Sequence, residues 1–199
     1  MNYKTISEEA SAKILEKKSS FTCYIFFFNK ESSIQKFISL VSKKHKDACH
    51  IPYAYRYLDA KADIQEMYSD DGEPAKTAGY SALRVLQQKN IVNVCVIIAR
   101  TFGGVKLGTS GLMRAFATSC ERALDNAHIK SFVQKKSYSV VISPKNLGGV
   151  ETFCKQKGLI YFIKPILTGS DTGKLRLTCM IKQDDILIQK EFNRIINTV

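Results

Sequence analysis

Val92-Asn93-Val94-Cys95-Val96-Ile97-Ile98-Ala99 runs directly into Arg100-Thr101-Phe102-Gly103-Gly104-Val105-Lys106-Leu107-Gly108-Thr109-Ser110-Gly111-Leu112-Met113-Arg114-Ala115. The first part is a continuous β-branched run, which predicts a strand covered on both faces. A glycine loop follows, and a helix is expected from about Ser110 to about His128. Leu112, Phe116, Cys120, Ala123 and Ala127 form its buried stripe. Free amides at a helix start, reached through a glycine-rich approach, make an anion site. Arg100, Gly103, Gly104, Lys106, Gly108, Ser110, Gly111 and Arg114 are its candidate residues. The loop has no Gly-Lys-Ser/Thr and does not have GxGxxG spacing, so it is neither a P-loop nor a dinucleotide fingerprint. The same glycines also serve a tight turn and close helix packing without any ligand.

Upstream, Ser69-Asp70-Asp71-Gly72-Glu73-Pro74 reads as a tight polar turn. A short helix is expected from Thr77, with Ala78, Ala82, Leu83 and Leu86 on one face. The clustered carboxylates repel one another unless a cation, an arginine or a row of backbone amides offsets them. A solvated turn whose aspartates bond their own backbone is the plainer reading. The turn is expected beside the glycine loop, close enough for Arg100 or Lys106 to offset Asp70 and Asp71. His50, Arg56, Asp70, Asp71, Glu73 and Thr77 are the candidates for one composite site. His50 adjoins Cys49, but strand neighbours point to opposite faces, so the two form no dyad and His50 reads as structural.

Residues 13–28 read as extended, ending in the apolar run from Phe21 to Phe28. Ile34, Phe37, Ile38 and Val41 have the spacing of a helix over 31–45. Lys43, Lys44, His45 and Lys46 suit its C-terminal dipole. Tyr53, Tyr55 and Tyr57 alternate with Ala54 and Arg56 as a strand, and Gln65 to Ser69 is its hairpin partner. The three tyrosines either stack on bases or pack in a core. Gln134 to Ser137 is polar and marks a boundary between domains 1–134 and 135–199. Beyond it, strand 138–143, helix 146–157, strands 159–167 and 174–182, and helix 184–197 give βαββα, most of a ferredoxin-like unit.

The chain has 199 residues, 45% hydrophobic and 24% charged, an ordinary globular composition that excludes disordered and fibrous classes. Thirty basic and 18 acidic groups give +12. Residues 1–134 carry 19 basic and 13 acidic groups, net +6, and residues 135–199 carry 11 and 5, also +6 in half the length. Such a field attracts nucleic acid, acidic proteins or anionic membrane surfaces. The six cysteines include no CxxC pair and there are only three histidines, so no zinc spacing exists and the cysteines read as reduced, buried hydrophobes. No apolar run is long enough to span a bilayer, and the N-terminal residues lack the apolar core of a signal peptide. A cytoplasmic protein without membrane association is expected.

Several stretches together resemble the YigZ/IMPACT family. They are Lys17-Lys18-Ser19-Ser20-Phe21, Asp47-Ala48-Cys49-His50 and Ala54-Tyr55-Arg56. The strongest are Asp70-Asp71-Gly72-Glu73-Pro74 with Thr77-Ala78-Gly79, and Arg100 with Phe102-Gly103-Gly104, Lys106-Leu107-Gly108 and Gly111-Leu112-Met113-Arg114-Ala115. The resemblance covers about residues 12–130. The chain departs from the family pattern at Lys76 and Ser110, where glycine is usual, and at Thr101, where an aromatic is usual. Lys76 puts a cation beside the acidic turn, and Ser110 is placed to cap the helix.

The resemblance implies an α+β protein. Its N-terminal domain has a left-handed βαβ crossover, similar to a small-subunit ribosomal protein domain and to domain IV of translocation factor EF-G. Its small ferredoxin-like C-terminal domain is similar to EF-G domain V. Eukaryotic members regulate translation by competing for the activator of an amino-acid-starvation kinase, associate with ribosomes, and carry an additional partner-binding domain that this chain lacks. The resulting expectation is a nonenzymatic protein that binds RNA or the ribosome, in regulation of translation. No catalytic residue, cofactor, metal or DNA sequence specificity is expected. A phosphate- or nucleotide-binding enzyme using the glycine loop and acidic turn, with the carboxylates on Mg²⁺, is one alternative. A protein-binding regulator is another.

Overall fold

The computed structural model describes residues 3–59, 61–182 and 185–197. The chain divides into two compact units, one up to Phe132 and one from Val133. The first holds β1 (Lys4–Ile6), β2 (Ala10–Glu16), β3 (Ser19–Phe27), α1 (Ile34–Lys44), β4 (Tyr53–Leu58), β5 (Ile64–Ser69), α2 (Gly79–Gln88), β6 (Val94–Thr101), α3 (Gly108–Asn126) and β7 (Ile129–Ser131). The second holds β8 (Lys135–Ile142), α4 (Leu147–Gln156), β9 (Ile160–Pro165), β10 (Leu175–Lys182) and α5 (Ile186–Asn197).

In the first unit a five-stranded sheet has the order β2-β3-β6-β4-β5, with every neighbouring pair antiparallel. β3 and β4 flank β6 and therefore run parallel, joined through α1. β5 and β6 flank β4 in the same way, joined through α2. The central strand β6 is buried from Val94 to Arg100, as its β-branched run requires. Val94, Val96 and Ile98 pack with Phe21, Cys23 and Ile25 against α2 and α3. Cys95, Ile97 and Ala99 pack on the other face with Phe26, Phe28 and Val41 of α1. Each such aliphatic or aromatic side chain contributes about 1.5–3 kcal/mol on full burial, so burial on both faces makes β6 the spine of the unit.

The expected stripes of α2 and α3 are both buried. The tyrosines of β4 are part of the α1-side core. Tyr55 stacks on Phe28 at 4.7 Å between ring centroids, and Tyr57 lies at 5.8 Å. Of the two readings of that stripe, packing is the one observed. The extended stretch 13–28 is a hairpin in which Glu16 pairs Ser19. Lys17 and Lys18 form a two-residue turn with φ of 45° and 68°, the left-handed conformation that suits a twisted hairpin. β1 and β7 make a separate antiparallel pair, Ile6 opposite Ile129.

The second unit has strand order β8-β10-β9, antiparallel throughout, with α4 crossing between the parallel flanking strands. This is the expected βαββα order. Val150, Phe153 and Cys154 of α4 and Phe192 of α5 cover one sheet face through Leu177, Cys179 and Ile181. Lys135–Ser137, expected as boundary, already belongs to β8, paired with Lys182 to Met180 of β10. Five of the six cysteines are buried thiols, and Cys49 is exposed. Among the described residues no helix is long and apolar enough to cross a membrane.

Candidate anion-binding cleft

The end of β6 delivers Arg100 to the point where the acidic turn and the glycine loop meet. Arg100 is 8% exposed and Glu73 7%. Arg100 Nη1 donates to both Glu73 carboxylate oxygens at 2.6 Å. The guanidinium carbon lies 5.6 Å from the ring centres of both Phe21 and Phe102, an arrangement suited to a planar cation. Its Nε is buried and has no hydrogen-bond partner.

The acidic turn is offset piece by piece. The Asp70 carboxylate accepts the backbone N–H groups of Lys76, Ala78 and Tyr80, so the opening of α2 supplies the compensation. Asp71 Oδ2 accepts the Ile51 amide at 2.6 Å, and its carbonyl accepts His50 Nδ1–H at 2.7 Å. The expected partnership of Arg100 or Lys106 with Asp70 and Asp71 is thus replaced by Arg100 with Glu73. The amides around the turn already satisfy the two aspartates, and only Glu73 turns into the protein. Lys76 has φ of 62°, the left-handed region that glycine occupies without strain, and its ammonium lies 5.9 Å over the Tyr80 ring.

His50, Gly72, Glu73, Pro74, Arg100 and Phe102, together with Lys106, Leu107, Gly108, Thr109 and Leu112, line one cleft of about 340 Å³. The two motifs therefore share a cleft. Gly108, with φ of 71°, opens α3, and no side chain caps that helix. Ser110 accordingly sits inside the first turn and is not the cap. Lys106 is exposed and in no ion pair among the described residues. Gly103 does not line the cleft. It packs on the hairpin turn, and its amide donates to Ser19 Oγ at 3.1 Å. Gly104 is exposed with φ of 86°.

Four more candidates lie elsewhere. Gly111 and Arg114 line a different depression beside Ile14 and Glu16. Arg56 is buried in β4, paired with Glu66 at 3.0 Å and donating to the Ile91 carbonyl. Thr77 ties the turn together by donating to the Pro74 carbonyl. Sequence reasoning passed over Phe102, 44% exposed at the cleft. An aromatic immediately before two glycines was the available signal. Among the described residues no group of three or more His, Cys, Asp or Glu side chains is placed to hold a metal ion.

A solved structure described only as that of a hypothetical protein matches with TM-score 0.69 and 23% identity over 94% of this chain and 88% of that one, a likeness of fold. IMPACT family member YigZ of Escherichia coli (strain K12) is 30% identical over 141 residues, 70% of this chain and 69% of the relative. IMPACT family member YvyE of Bacillus subtilis (strain 168) is 35% identical over 125 residues, 63% of this chain and 57% of the relative, so the match spans little more than half of that protein. The family pattern of the Impact N-terminal domain matches residues 17–124, which include the hairpin turn, the acidic turn and the glycine loop, and the chain belongs to the IMPACT/YigZ family.

Proposed function

We propose that this protein is a nonenzymatic RNA- or ribosome-associated factor in regulation of translation, and that the cleft of the first unit holds a backbone phosphate. The observation that carries the reading is the uncapped start of α3 opening into that cleft beside the unpaired Lys106. Free helix-start amides and a lone cation recognise an anion. Arg100 is already neutralised by Glu73, so it shapes the cleft and offers its Nε, while Lys106 supplies the net charge. The family membership and the +12 charge support the translation assignment. A left-handed sense for the crossovers and the likeness of the two units to EF-G domains IV and V belong to the same proposal, as does a cytoplasmic location.

Filter binding of a labelled RNA across a salt series tests it. Affinity falls steeply with salt. Lys106→Glu weakens binding and flattens the slope by about one phosphate. Arg114→Glu, outside the cleft, does less at that site. Binding indifferent to salt and to Lys106→Glu overturns the reading. Saturable Mg²⁺-dependent nucleotide binding abolished by Asp71→Ala would instead make the cleft an enzyme site.

A further inference from the structure

In the second unit both helices lie on one side of the three-stranded sheet, and the other side is open. Cross-strand register puts that open face in rows: Lys164, Arg176 and Val141; Phe162, Thr178 and Ser139; Ile160, Met180 and Ser137; then Lys182 and Lys135. Alternate residues of β10 confirm the division, since Leu177, Cys179 and Ile181 are buried while Arg176 and Lys182 are exposed. Phe162, on the edge strand β9, is 59% exposed on this face. Beside it the Thr178 and Ser139 hydroxyls bond each other at 2.8 Å. Among the described residues no carboxylate stands on this face. Lys135, Lys164, Arg176 and Lys182 take part in no ion pair among the described residues.

We propose that this sheet face binds single-stranded nucleic acid, with an unpaired base stacked on Phe162 and the adjoining phosphates held by Lys164, Arg176, Lys182 and Lys135. The inference rests on the RNA reading above and gives it a second, separate surface. An exposed aromatic ring on this solvent-facing side of β9 has no packing purpose in the core, because the core lies on the opposite side of the sheet. Successive rows are about 6.7 Å apart along the strands, so Lys164 and Arg176, one row away, reach a phosphate next to a base on Phe162, and Lys182 and Lys135, two rows away on the other side, meet the strand further along. A duplex keeps its bases stacked inside, which leaves the ring without a partner, whereas an unpaired base presents a full π-face. A protein partner is the poorer fit, since protein interfaces exclude charge from their centres and here Lys164 and Arg176 stand in the row next to the ring.

The test uses the full chain and a fluorescein-labelled oligouridylate, with a duplex of equal length as comparison, read by anisotropy at fixed low salt. Phe162→Ala weakens single-strand binding roughly 5- to 100-fold, and leaves duplex binding within about two-fold. Phe162→Tyr retains single-strand affinity. Leu167→Ala, 77% exposed outside the strands, changes neither. The chain has no tryptophan, so Phe162→Trp adds a single indole whose emission is quenched saturably by the single strand and not by the duplex. If the chain binds the oligonucleotide while Phe162→Ala matches wild type and Phe162→Trp is unquenched, the platform is wrong and the RNA reading stands. An acidic-protein surface would give that result, with affinity following charge alone. If the wild-type chain binds no RNA, both proposals fall.

Discussion

Arg100 is held by the Glu73 carboxylate and lies 5.6 Å from the ring centres of Phe21 and Phe102, so its buried charge is offset by its partner. Removing one member of a buried pair leaves the other uncompensated, typically at a cost of about 3–5 kcal/mol. Glu73→Gln is therefore expected to lower the urea midpoint of the first unit by more than about 1 M, given slopes of about 1–3 kcal/mol/M. An unchanged midpoint would mean that the pair is solvated and the cleft softer than its burial indicates. The carboxylate cluster and Arg100 were each conspicuous in the sequence, but their pairing was not. Counting charges pointed Arg100 at Asp70 and Asp71, while the outcome depended on which carboxylates the α2 amides and Ile51 had already satisfied. Lys76 was legible as a departure from a glycine position, and its positive φ gives that departure a physical meaning.

At the scale of elements, hydrophobic period was sufficient for β6, α2, α3 and the βαββα order of the second unit. Helix starts were less legible: α2 begins at Gly79 and α3 at Gly108, because neither uses a side-chain cap that would mark it. The hairpin at Lys17-Lys18 lacked an Asn-Gly signal, and the three-residue strands β1 and β7 carry no period at all. The glycine pair separates into two roles. A Cβ on Gly103 would overlap the Lys18 carbonyl and the Ser19 amide nitrogen, whereas one on Gly104 meets open space at φ of 86°. Gly103→Ala is expected to cost about 3 kcal/mol or more through forced displacement of the hairpin. Gly104→Ala should cost about 1–2 kcal/mol through left-handed strain alone. Circular-dichroism melts of the two variants check this, and equal losses would show that Gly103 does not wedge the hairpin against the loop.

Across the whole molecule, limited proteolysis is expected to cut within 132–134, between β7 and β8, leaving a first unit that stays folded. Resistance there, under conditions that digest the connection between β9 and β10, would mean that the two units unfold as one. The platform residues show why part of the molecule was unreadable beforehand. Phe162 and Lys164 looked like ordinary alternation, and only the placement of both helices on one side reveals which half of that alternation is left open. The β1–β7 pair has a consequence in time. Ile6, fully buried and paired with Ile129, is synthesised about 120 residues before that partner. At translation rates of about 5–20 residues per second, that interval is roughly 6–25 seconds. Throughout it the nascent first unit lacks its closing strand, so the pace of elongation sets the earliest moment at which that unit can close.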